Sequence, residues 1–192
     1  MIKKKDLPAL ILVDIQKGLD EMEYYGGNRN NLNAEANTRQ VLDYWRMNNL
    51  PVFHVKHNST NPNSPLFKGK KGNEIKEMVK PIGDEPIFEK DTNSGFIGTD
   101  LQETLNNQSI QVVVIVGLTT EHCISTTTRM ASNLGFETYL IADATAAFDK
   151  IGINGEKYPA ELVHNIALAN LNEEFATIVN TQTLLEQLNE ST

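Results

Sequence analysis

The only cysteine of this 192-residue chain, Cys123, lies between an apolar run and a helical pattern. Residues 112–116 read VVVIV, and residues 125–134 have the spacing of an amphipathic helix. The thiol is therefore expected where a buried strand turns into a helix. A helix N-terminus presents unpaired N–H groups and about half a positive charge, which lower a cysteine pKa from about 8.5. This position predicts a nucleophile, whereas a lone cysteine in other surroundings is more often a small buried hydrophobic residue.

Two other side chains could assist such a nucleophile. Asp14 ends the apolar run 9–13, and Lys90 lies in the segment IFEKD. A thiolate needs a base, an electrostatic partner and N–H donors for the developing oxyanion. Asp14 is the candidate base, Lys90 is the candidate partner, and the backbone N–H groups of Thr119 and Cys123 are the candidate donors. Taken alone, Asp14 could equally cap a loop or a helix, and a lone lysine is usually solvated.

The composition excludes several classes of protein. A formal net charge of -8 argues against a nucleic-acid partner. The single cysteine excludes an internal disulfide framework. The lysines at 3–5 precede an apolar run that is too short for a signal peptide, and no segment is long enough to span a membrane. We expect a cytoplasmic protein with neither a membrane nor a nucleic-acid partner.

Strand-like runs alternate with helical patterns along the chain, and its length fits one α/β domain spanning residues 1–192. This alternation predicts a Rossmann-like, three-layer α/β/α fold with a mainly parallel six-stranded sheet. In such a sheet, ligands bind at the carboxyl ends of the strands, where the strand order reverses. Asp14 and residues 117–123 both follow predicted strands, so they share one crevice if those strands are neighbours. The predicted strands are 9–13, 51–55, 86–88, 110–116, 138–142 and 176–179, and the predicted helices are 32–47, 99–106, 125–134, 159–174 and one around 183–186.

Three segments carry a resemblance to a known family: residues 9–16 (ALILVDIQ), residues 90–101 (KDTNSGFIGTDL) and residues 117–124 (GLTTEHCI). From about residue 8 to about residue 188, the chain resembles the isochorismatase-like cysteine hydrolase superfamily.

The resemblance implies a triad of Asp14, Lys90 and Cys123 that works without a cofactor. Asp14 would take the thiol proton, and Lys90 would hold the carboxylate and stabilise the charges around the thiolate. Cys123 would attack an amide-type carbonyl, release ammonia or an amine, and leave a thioester for water to cleave. The resemblance also implies a cis peptide between Leu118 and Thr119, which would turn the Thr119 N–H toward the oxyanion.

The superfamily includes several activities, so the small-molecule substrate has to be argued separately. Nicotinamidases in it carry a metal site with an Asp-x-His motif, but residues 54–60 here read HVKHNST. The motif is absent and His54 and His57 lack a carboxylate nearby, so we expect neither a metal site nor nicotinamidase activity. The presence of Cys123 favours amide, cyclic amide or ureido hydrolysis. The alternatives are hydrolysis of an isochorismate-type vinyl ether and a non-hydrolytic thiol redox or binding protein, although no resolving cysteine is present.

Three residues are candidates for substrate contact. His57 could touch the substrate or lie on a surface loop. Phe96 could form an apolar wall of the pocket or belong to the core. His122 precedes the nucleophile, and the geometry of the turn decides whether it lines the pocket. Asp143 and His164 are expected to be a structural cap and a hydrogen-bonded core histidine, respectively.

Two long polar stretches, residues 17–31 and 58–73, are expected to be lids, binding loops or subunit contacts. The first contains Met22, Tyr24 and Tyr25, and exposed aromatic residues favour protein contacts. The resemblance also implies a homo-oligomer. We therefore expect a homodimer or a homotetramer.

Overall fold

A six-stranded sheet forms the centre of the computed structural model, which describes residues 1–190. Its strand order is β3-β2-β1-β4-β5-β8 and every neighbouring pair is parallel, which confirms the predicted fold class. The strands β6 and β7 form a separate antiparallel hairpin. The strands are β1 (Ala9–Val13), β2 (Val52–His57), β3 (Ile87–Lys90), β4 (Val112–Leu118), β5 (Glu137–Ala146), β6 (Lys150–Ile151), β7 (Lys157–Tyr158) and β8 (Thr177–Val179). The end of the expected domain, residues 191 and 192, lies outside the described residues.

Six α-helices surround the sheet in the described part of the chain. They are α1 (Met22–Tyr25), α2 (Ala34–Met47), α3 (Leu101–Asn107), α4 (Ser125–Asn133), α5 (Ala160–Ala169) and α6 (Thr181–Glu190). Helices α2 and α6 pack on one face of the sheet, and α3, α4 and the end of α5 contribute to the core on the other. Between residues 1 and 190, no helix has the length and apolar character needed to cross a bilayer.

Strand β1 is buried on both faces because both layers of helices cover it. Leu10 and Leu12 belong to the core under α2 and α6, while Ile11 and Val13 belong to the core on the opposite face. A continuous apolar run is typical of such a central parallel strand. Trp45 anchors α2 beside it, and its indole N–H donates a hydrogen bond of 2.8 Å to the Pro8 carbonyl.

Several predicted boundaries are wrong. The helix predicted from residue 32 begins at Ala34, and Leu32 lies before it with 69% of its surface exposed. The helix predicted to reach residue 174 ends at Ala169. Strand β5, predicted to end at residue 142, continues to Ala146. The hairpin of β6 and β7 was not predicted.

A close approach of β1 and β4 requires the glycine at position 117. Gly117 has a φ of 129°, and a Cβ atom there would lie 1.9 Å from the Val13 carbonyl oxygen. Only glycine lets the two backbones come this close in this conformation. Because β1 and β4 are neighbours and the strand order reverses between them, the segments that carry Asp14 and Cys123 share one crevice, as predicted.

Candidate active site

The carboxyl ends of β1, β3 and β4 bring together Asp14, Lys90 and Cys123. The ammonium Nζ of Lys90 donates to Asp14 Oδ2 at 2.7 Å and to the Cys123 Sγ at 3.4 Å. The side chain of Lys90 is fully buried and that of Asp14 is 3% exposed. An ion pair shielded in this way is screened little by solvent, so its charges act strongly on the neighbouring thiol.

The pKa of the Cys123 thiol is shifted in the direction opposite to the one expected from the sequence. Burial raises its pKa above the usual value and the Asp14 carboxylate raises it further, against the opposing charge of Lys90. Burial and the Asp14 charge thus act against the lowering expected at a helix start; Cys123 lies within a π-helical turn, Thr120–Ile124, that leads directly into α4. The proton therefore stays on the sulfur at neutral pH until a base removes it.

One oxygen of Asp14 is placed to accept that proton. Oδ2 is held by Lys90, whereas Oδ1 is buried and makes no hydrogen bond within residues 1–190. The backbone of Asp14 has a φ of 54°, and its N–H donates to the Val55 carbonyl at 2.9 Å. A buried carboxylate oxygen without a partner is costly in a purely structural role. A carboxylate oxygen of Asp14 lies within 4.8 Å of the Cys123 sulfur, and Oδ1 is the oxygen of this carboxylate that is available to accept a proton.

His57, at the end of β2, completes the surroundings of the ammonium. Its Nδ1 lies 3.3 Å from Lys90 Nζ, so the three N–H bonds of Lys90 face three acceptors, on Asp14, His57 and Cys123. Burial and the charge of Lys90 lower the pKa of His57, which keeps the ring neutral and able to accept. His57 is half-buried at a strand end rather than on a surface loop, and it lines the cavity beside the thiol.

The same three acceptors are also of the types that bind metal ions. Ligand atoms of Asp14, His57 and Cys123 all lie within 4.8 Å of one another. The ammonium of Lys90 contacts all three and takes the position that a cation would need. These residues therefore do not fit a metal ion while Lys90 is in place.

The other histidine of this region, His54, also contacts a side chain of this protein. It is buried, and its Nε2 lies 2.9 Å from Glu85 Oε2, while Arg46 pairs with the same carboxylate at 2.8 Å. The expectation that His54 and His57 lack a nearby carboxylate is wrong, because Glu85 and Asp14 approach them from distant parts of the chain. Arg46 and Lys90 neutralise those two carboxylates.

A cavity of 210 Å³ opens in front of the sulfur. Both long polar stretches contribute to its wall, as expected of binding loops. His122 lines the cavity as well, and more than half of its side chain is exposed to solvent. Phe96 is not in the wall; it is 7% exposed in the core, with its ring 6.0 Å from that of Phe136. The wall residues that sequence reasoning did not single out as site residues are Leu19, Tyr24, Tyr25, Ser64, Leu66, Asn93, Leu118 and Lys150.

The turn that carries Cys123 contains the cis peptide between Leu118 and Thr119 that the resemblance implies. The Thr119 carbonyl accepts hydrogen bonds from the N–H groups of His122 (3.1 Å) and Ile124 (3.2 Å). Both Thr119 and Cys123 lie in the wall of the cavity. That their own N–H groups converge on one substrate oxygen stays a prediction.

His164 and Asp143 hold structural positions, as expected. His164 is buried, and its Nδ1 lies 2.8 Å from the hydroxyl of Thr120, the first residue of the π-helical turn. Asp143 accepts hydrogen bonds from both the N–H and the hydroxyl of Thr181 at 2.8 Å, which caps the start of α6. Neither residue lines the cavity.

Comparisons with known proteins show the family of this chain. A family model described as Isochorismatase domain matches residues 8–183. The chain belongs to the isochorismatase family. It is 50% identical to the isochorismatase family protein YrdC of Bacillus subtilis (strain 168), over 92% of this chain and 94% of YrdC. It is 29% identical to Nicotinamidase 3 of Arabidopsis thaliana, over 95% of this chain and 89% of that protein.

A solved structure of the same family has the same fold. A putative hydrolase of the isochorismatase family from Chromobacterium violaceum ATCC 12472 superposes with a TM-score of 0.92 at 36% identity. The match covers 96% of this chain and 95% of that structure. The protein is therefore an isochorismatase-family hydrolase with a Rossmann-like fold.

Proposed function

We propose that this hydrolase cleaves a C–N bond of a small amide, cyclic amide or ureido compound through a thioester on Cys123. The observation that carries the proposal is the contact of one buried ammonium, on Lys90, with both a carboxylate and a thiol. The carboxylate oxygen without a partner is the base, and the sulfur is the nucleophile.

The first half of the reaction forms the thioester. The sulfur attacks the carbonyl carbon while its proton passes to Asp14 Oδ1, and the oxyanion is bound by the N–H groups of Thr119 and Cys123. The ammonium of Lys90 stabilises the negative charge shared by the sulfur and Asp14. When the C–N bond breaks, Asp14 returns the proton to the nitrogen, and ammonia or an amine leaves.

The second half restores the enzyme. Water attacks the thioester carbonyl and gives a proton to Asp14, then the C–S bond breaks and the sulfur recovers a proton from Asp14. The acid product leaves with the oxygen of water. Because Asp14 moves a proton in both halves, it acts as a general acid and a general base in turn.

The volume of the cavity favours a small substrate. Its volume of 210 Å³ equals that of about seven liquid water molecules at ~30 Å³ each. The name of one relative, Nicotinamidase 3, denotes hydrolysis of an amide by that protein. Nicotinamide therefore belongs among the test substrates, although the missing Asp-x-His motif argues against it.

The test is an ammonia-release assay over a panel of small amides, cyclic amides and ureido compounds, including nicotinamide. We expect turnover with at least one compound, no turnover in Cys123→Ala, and losses of at least about 100-fold in Asp14→Asn and Lys90→Ala. Asn133→Ala, on the exposed side of α4, is the control and should match the wild type.

Other outcomes separate the alternatives. Activity that survives in Cys123→Ala contradicts the thioester mechanism. Pyruvate release from isochorismate, without ammonia release from any amide, assigns vinyl ether hydrolysis instead. Rapid titration of the thiol by peroxide in a protein that hydrolyses nothing favours a redox role.

A further inference from the structure

Tyr25, the last residue of the short helix α1, has a buried hydroxyl in the wall of the active-site cavity. The residue lines the 210 Å³ cavity in front of Cys123. Its hydroxyl oxygen is shielded from solvent and makes no hydrogen bond within residues 1–190. Because a buried donor without a partner is unfavourable, a bound molecule that supplies an acceptor at this point is favoured.

The groups that act on the Tyr25 hydroxyl place it on the cavity side of the ring. Burial raises the pKa of Tyr25, and the charge of Asp14 is among those that raise it further. The Ser64 hydroxyl is near enough to lower this pKa in part, but it does not complete a hydrogen bond with the tyrosine. Asp14 and Ser64 both line the cavity. Tyr25 therefore keeps its proton at neutral pH and offers the cavity a hydrogen-bond donor.

The ring of Tyr25 is held in one position by its neighbours. It stacks on the buried ring of Phe148 with the centroids 5.2 Å apart, and its centroid lies 4.9 Å from that of Tyr24 in an edge contact. The next residue, Gly26, lies so close to the chain at Asp149 that a Cβ atom there would collide with the Asp149 carbonyl oxygen. A donor fixed in this way loses little conformational freedom when it binds a ligand.

The charged groups around the cavity are paired within the chain. Asp14 pairs with Lys90 at 2.7 Å, and Lys150 lies 2.9 Å from Glu121. Burial lowers the pKa of both histidines in the wall, which keeps their rings neutral. A carboxylate on the ligand would therefore be buried without a counter-charge of its own, which is unfavourable. The acceptor that suits Tyr25 is thus an uncharged one.

A carbonyl oxygen is the uncharged acceptor that fits best. It accepts a hydrogen bond and, unlike a hydroxyl, brings no donor that would itself need a partner in the buried wall. The cavity wall also contains Leu19 and Leu66, which can contact hydrocarbon.

We propose, on the basis of the function proposed above, that Tyr25 is a substrate-binding residue whose hydroxyl donates a hydrogen bond to a second carbonyl oxygen of the substrate. The substrate is then an uncharged amide with two carbonyl groups. One carbonyl is attacked by Cys123 and the other is bound by Tyr25. Cyclic imides, acylureas and amide esters belong to this class, whereas amides that carry a carboxylate do not.

The test is the binding of three amides of similar size to Cys123→Ala, which cannot form the thioester. Methyl succinamate has a second uncharged carbonyl, succinamate has a carboxylate in its place, and hexanamide has neither. Dissociation constants at neutral pH are measured from the amide chemical shifts of the isotope-labelled protein. We expect methyl succinamate to bind about three- to tenfold more tightly than hexanamide, the range of one neutral hydrogen bond. We expect it to bind at least about tenfold more tightly than succinamate.

Tyr25→Phe in the same background removes the hydroxyl and keeps the ring that stacks on Phe148. We expect this variant to bind methyl succinamate and hexanamide equally, within about twofold. It should be at least as stable in urea as its parent, because it loses a buried hydroxyl that has no partner in the described chain.

Tyr44→Phe is the matched control. The Tyr44 hydroxyl is also buried without a hydrogen bond inside residues 1–190, but it belongs to α2 and does not line the cavity. This variant should keep the preference for methyl succinamate over hexanamide.

Three results would overturn the proposal: no binding of any of the three amides, equal binding of methyl succinamate and hexanamide by Cys123→Ala, or a preference that survives in Tyr25→Phe. Tighter binding of succinamate than of methyl succinamate would contradict an uncharged substrate. Failure of the thioester mechanism is seen separately, as the absence of ammonia release across the whole panel of amides, because the binding measurements involve no turnover.

Discussion

Single residues around Lys90 explain why Cys123 is held as a thiol. The ammonium divides its three N–H bonds among a carboxylate, an imidazole and a sulfur, so it does not belong to Cys123 alone. Burial and the Asp14 charge together outweigh it and raise the thiol pKa. A protonated nucleophile beside an available base gives a site that ionises only as the reaction proceeds.

This arrangement predicts that Asp14→Asn makes the Cys123 thiol react with an alkylating agent at lower pH and, at the same time, lowers the turnover of the enzyme. A raised pKa means that the thiol stays neutral as the pH rises through 8.5, the usual value for cysteine. Removing the negative charge of Asp14 lowers the pKa of Cys123, because burial alone then opposes the positive charge of Lys90. We expect Asp14→Asn to be alkylated by iodoacetamide with a midpoint at lower pH than the wild type, while its turnover falls.

The midpoint of the alkylation profile is the quantity to compare, because the cavity affects the absolute rate of both proteins equally. Glutathione supplies the reference midpoint of an unperturbed thiol. An unchanged or higher midpoint in Asp14→Asn would contradict the electrostatic role given to Asp14.

The same contacts predict that a divalent metal plays no part in turnover. Lys90 occupies the position between Asp14, His57 and Cys123 that an ion would need. We expect exhaustive dialysis against a chelator to leave the rate of amide hydrolysis within about twofold of the untreated enzyme. Loss of activity that Zn²⁺ or Mn²⁺ restores would show that the assignment of this site is wrong.

Among the secondary-structure elements, the pair β1 and β4 positions Asp14 and Cys123, and the two backbones approach closely at Gly117. Gly117→Ala places a methyl group 1.9 Å from the Val13 carbonyl oxygen, so one strand must move. We expect the free energy of unfolding in urea to fall by more than about 3 kcal/mol, with loss of turnover in the protein that remains folded.

Gly135→Ala is the matched control, since Gly135 also has a positive φ, of 91°, but has open space around it. Gly135→Ala should lower the free energy of unfolding by only ~1–2 kcal/mol, which is the cost of a left-handed backbone conformation at a residue with a Cβ atom, and it should leave turnover unchanged. Equal losses in the two variants would show that backbone conformation, rather than the approach of the strands, requires glycine at position 117.

Across the whole molecule, one buried carboxylate joins segments that are far apart in the chain. Glu35 of α2 pairs with Arg29 at 2.5 Å and with Lys76 at 2.6 Å, and Lys76 also pairs with Asp20. Arg29 and Asp20 belong to the stretch 17–31, which supplies part of the cavity wall. The network thus ties the rim of the active site to the body of the protein.

This network predicts a loss of stability in acid. Burial opposes ionisation of Glu35, but the hydrogen bonds from Arg29 and Lys76 outweigh it and lower the pKa to about 2. Because the unfolded chain binds this proton more readily, the stabilisation is complete above about pH 5 and disappears as the pH falls toward 2. At ~1.4 kcal/mol per pKa unit, its size is about 3 kcal/mol.

Urea unfolding from pH 7 to pH 3 measures this contribution. Glu35→Gln should be less stable than the wild type at pH 7, and the difference should shrink as the pH falls. Glu103→Gln, on the exposed side of α3, should follow the wild-type profile. A difference between Glu35→Gln and the wild type that stays constant with pH would contradict the role of the ionised carboxylate.

The sequence alone was enough to predict the layered fold, the six strands and the segments that carry Asp14, Lys90 and Cys123. Those inferences depend on local patterns, since an apolar run forms a buried strand wherever the sheet places it and parallel strands bring their carboxyl ends to one edge. The structural role of Asp143 was also predictable, because an acid after a strand commonly caps a nearby backbone.

Only the tertiary structure decided the electrostatics of the site. Lys90 lies 76 residues from Asp14 and 33 from Cys123, so their distances, and with them the raised pKa of the thiol, depend on packing rather than on spacing. The place of Phe96 also depends on the fold, because either a pocket wall or the core could bury its side chain. Lys150 was not predicted to line the cavity, because the β6–β7 hairpin that it begins has no clear sequence pattern. Burial and long-range charge are properties of the assembled fold, and a local sequence pattern does not contain them.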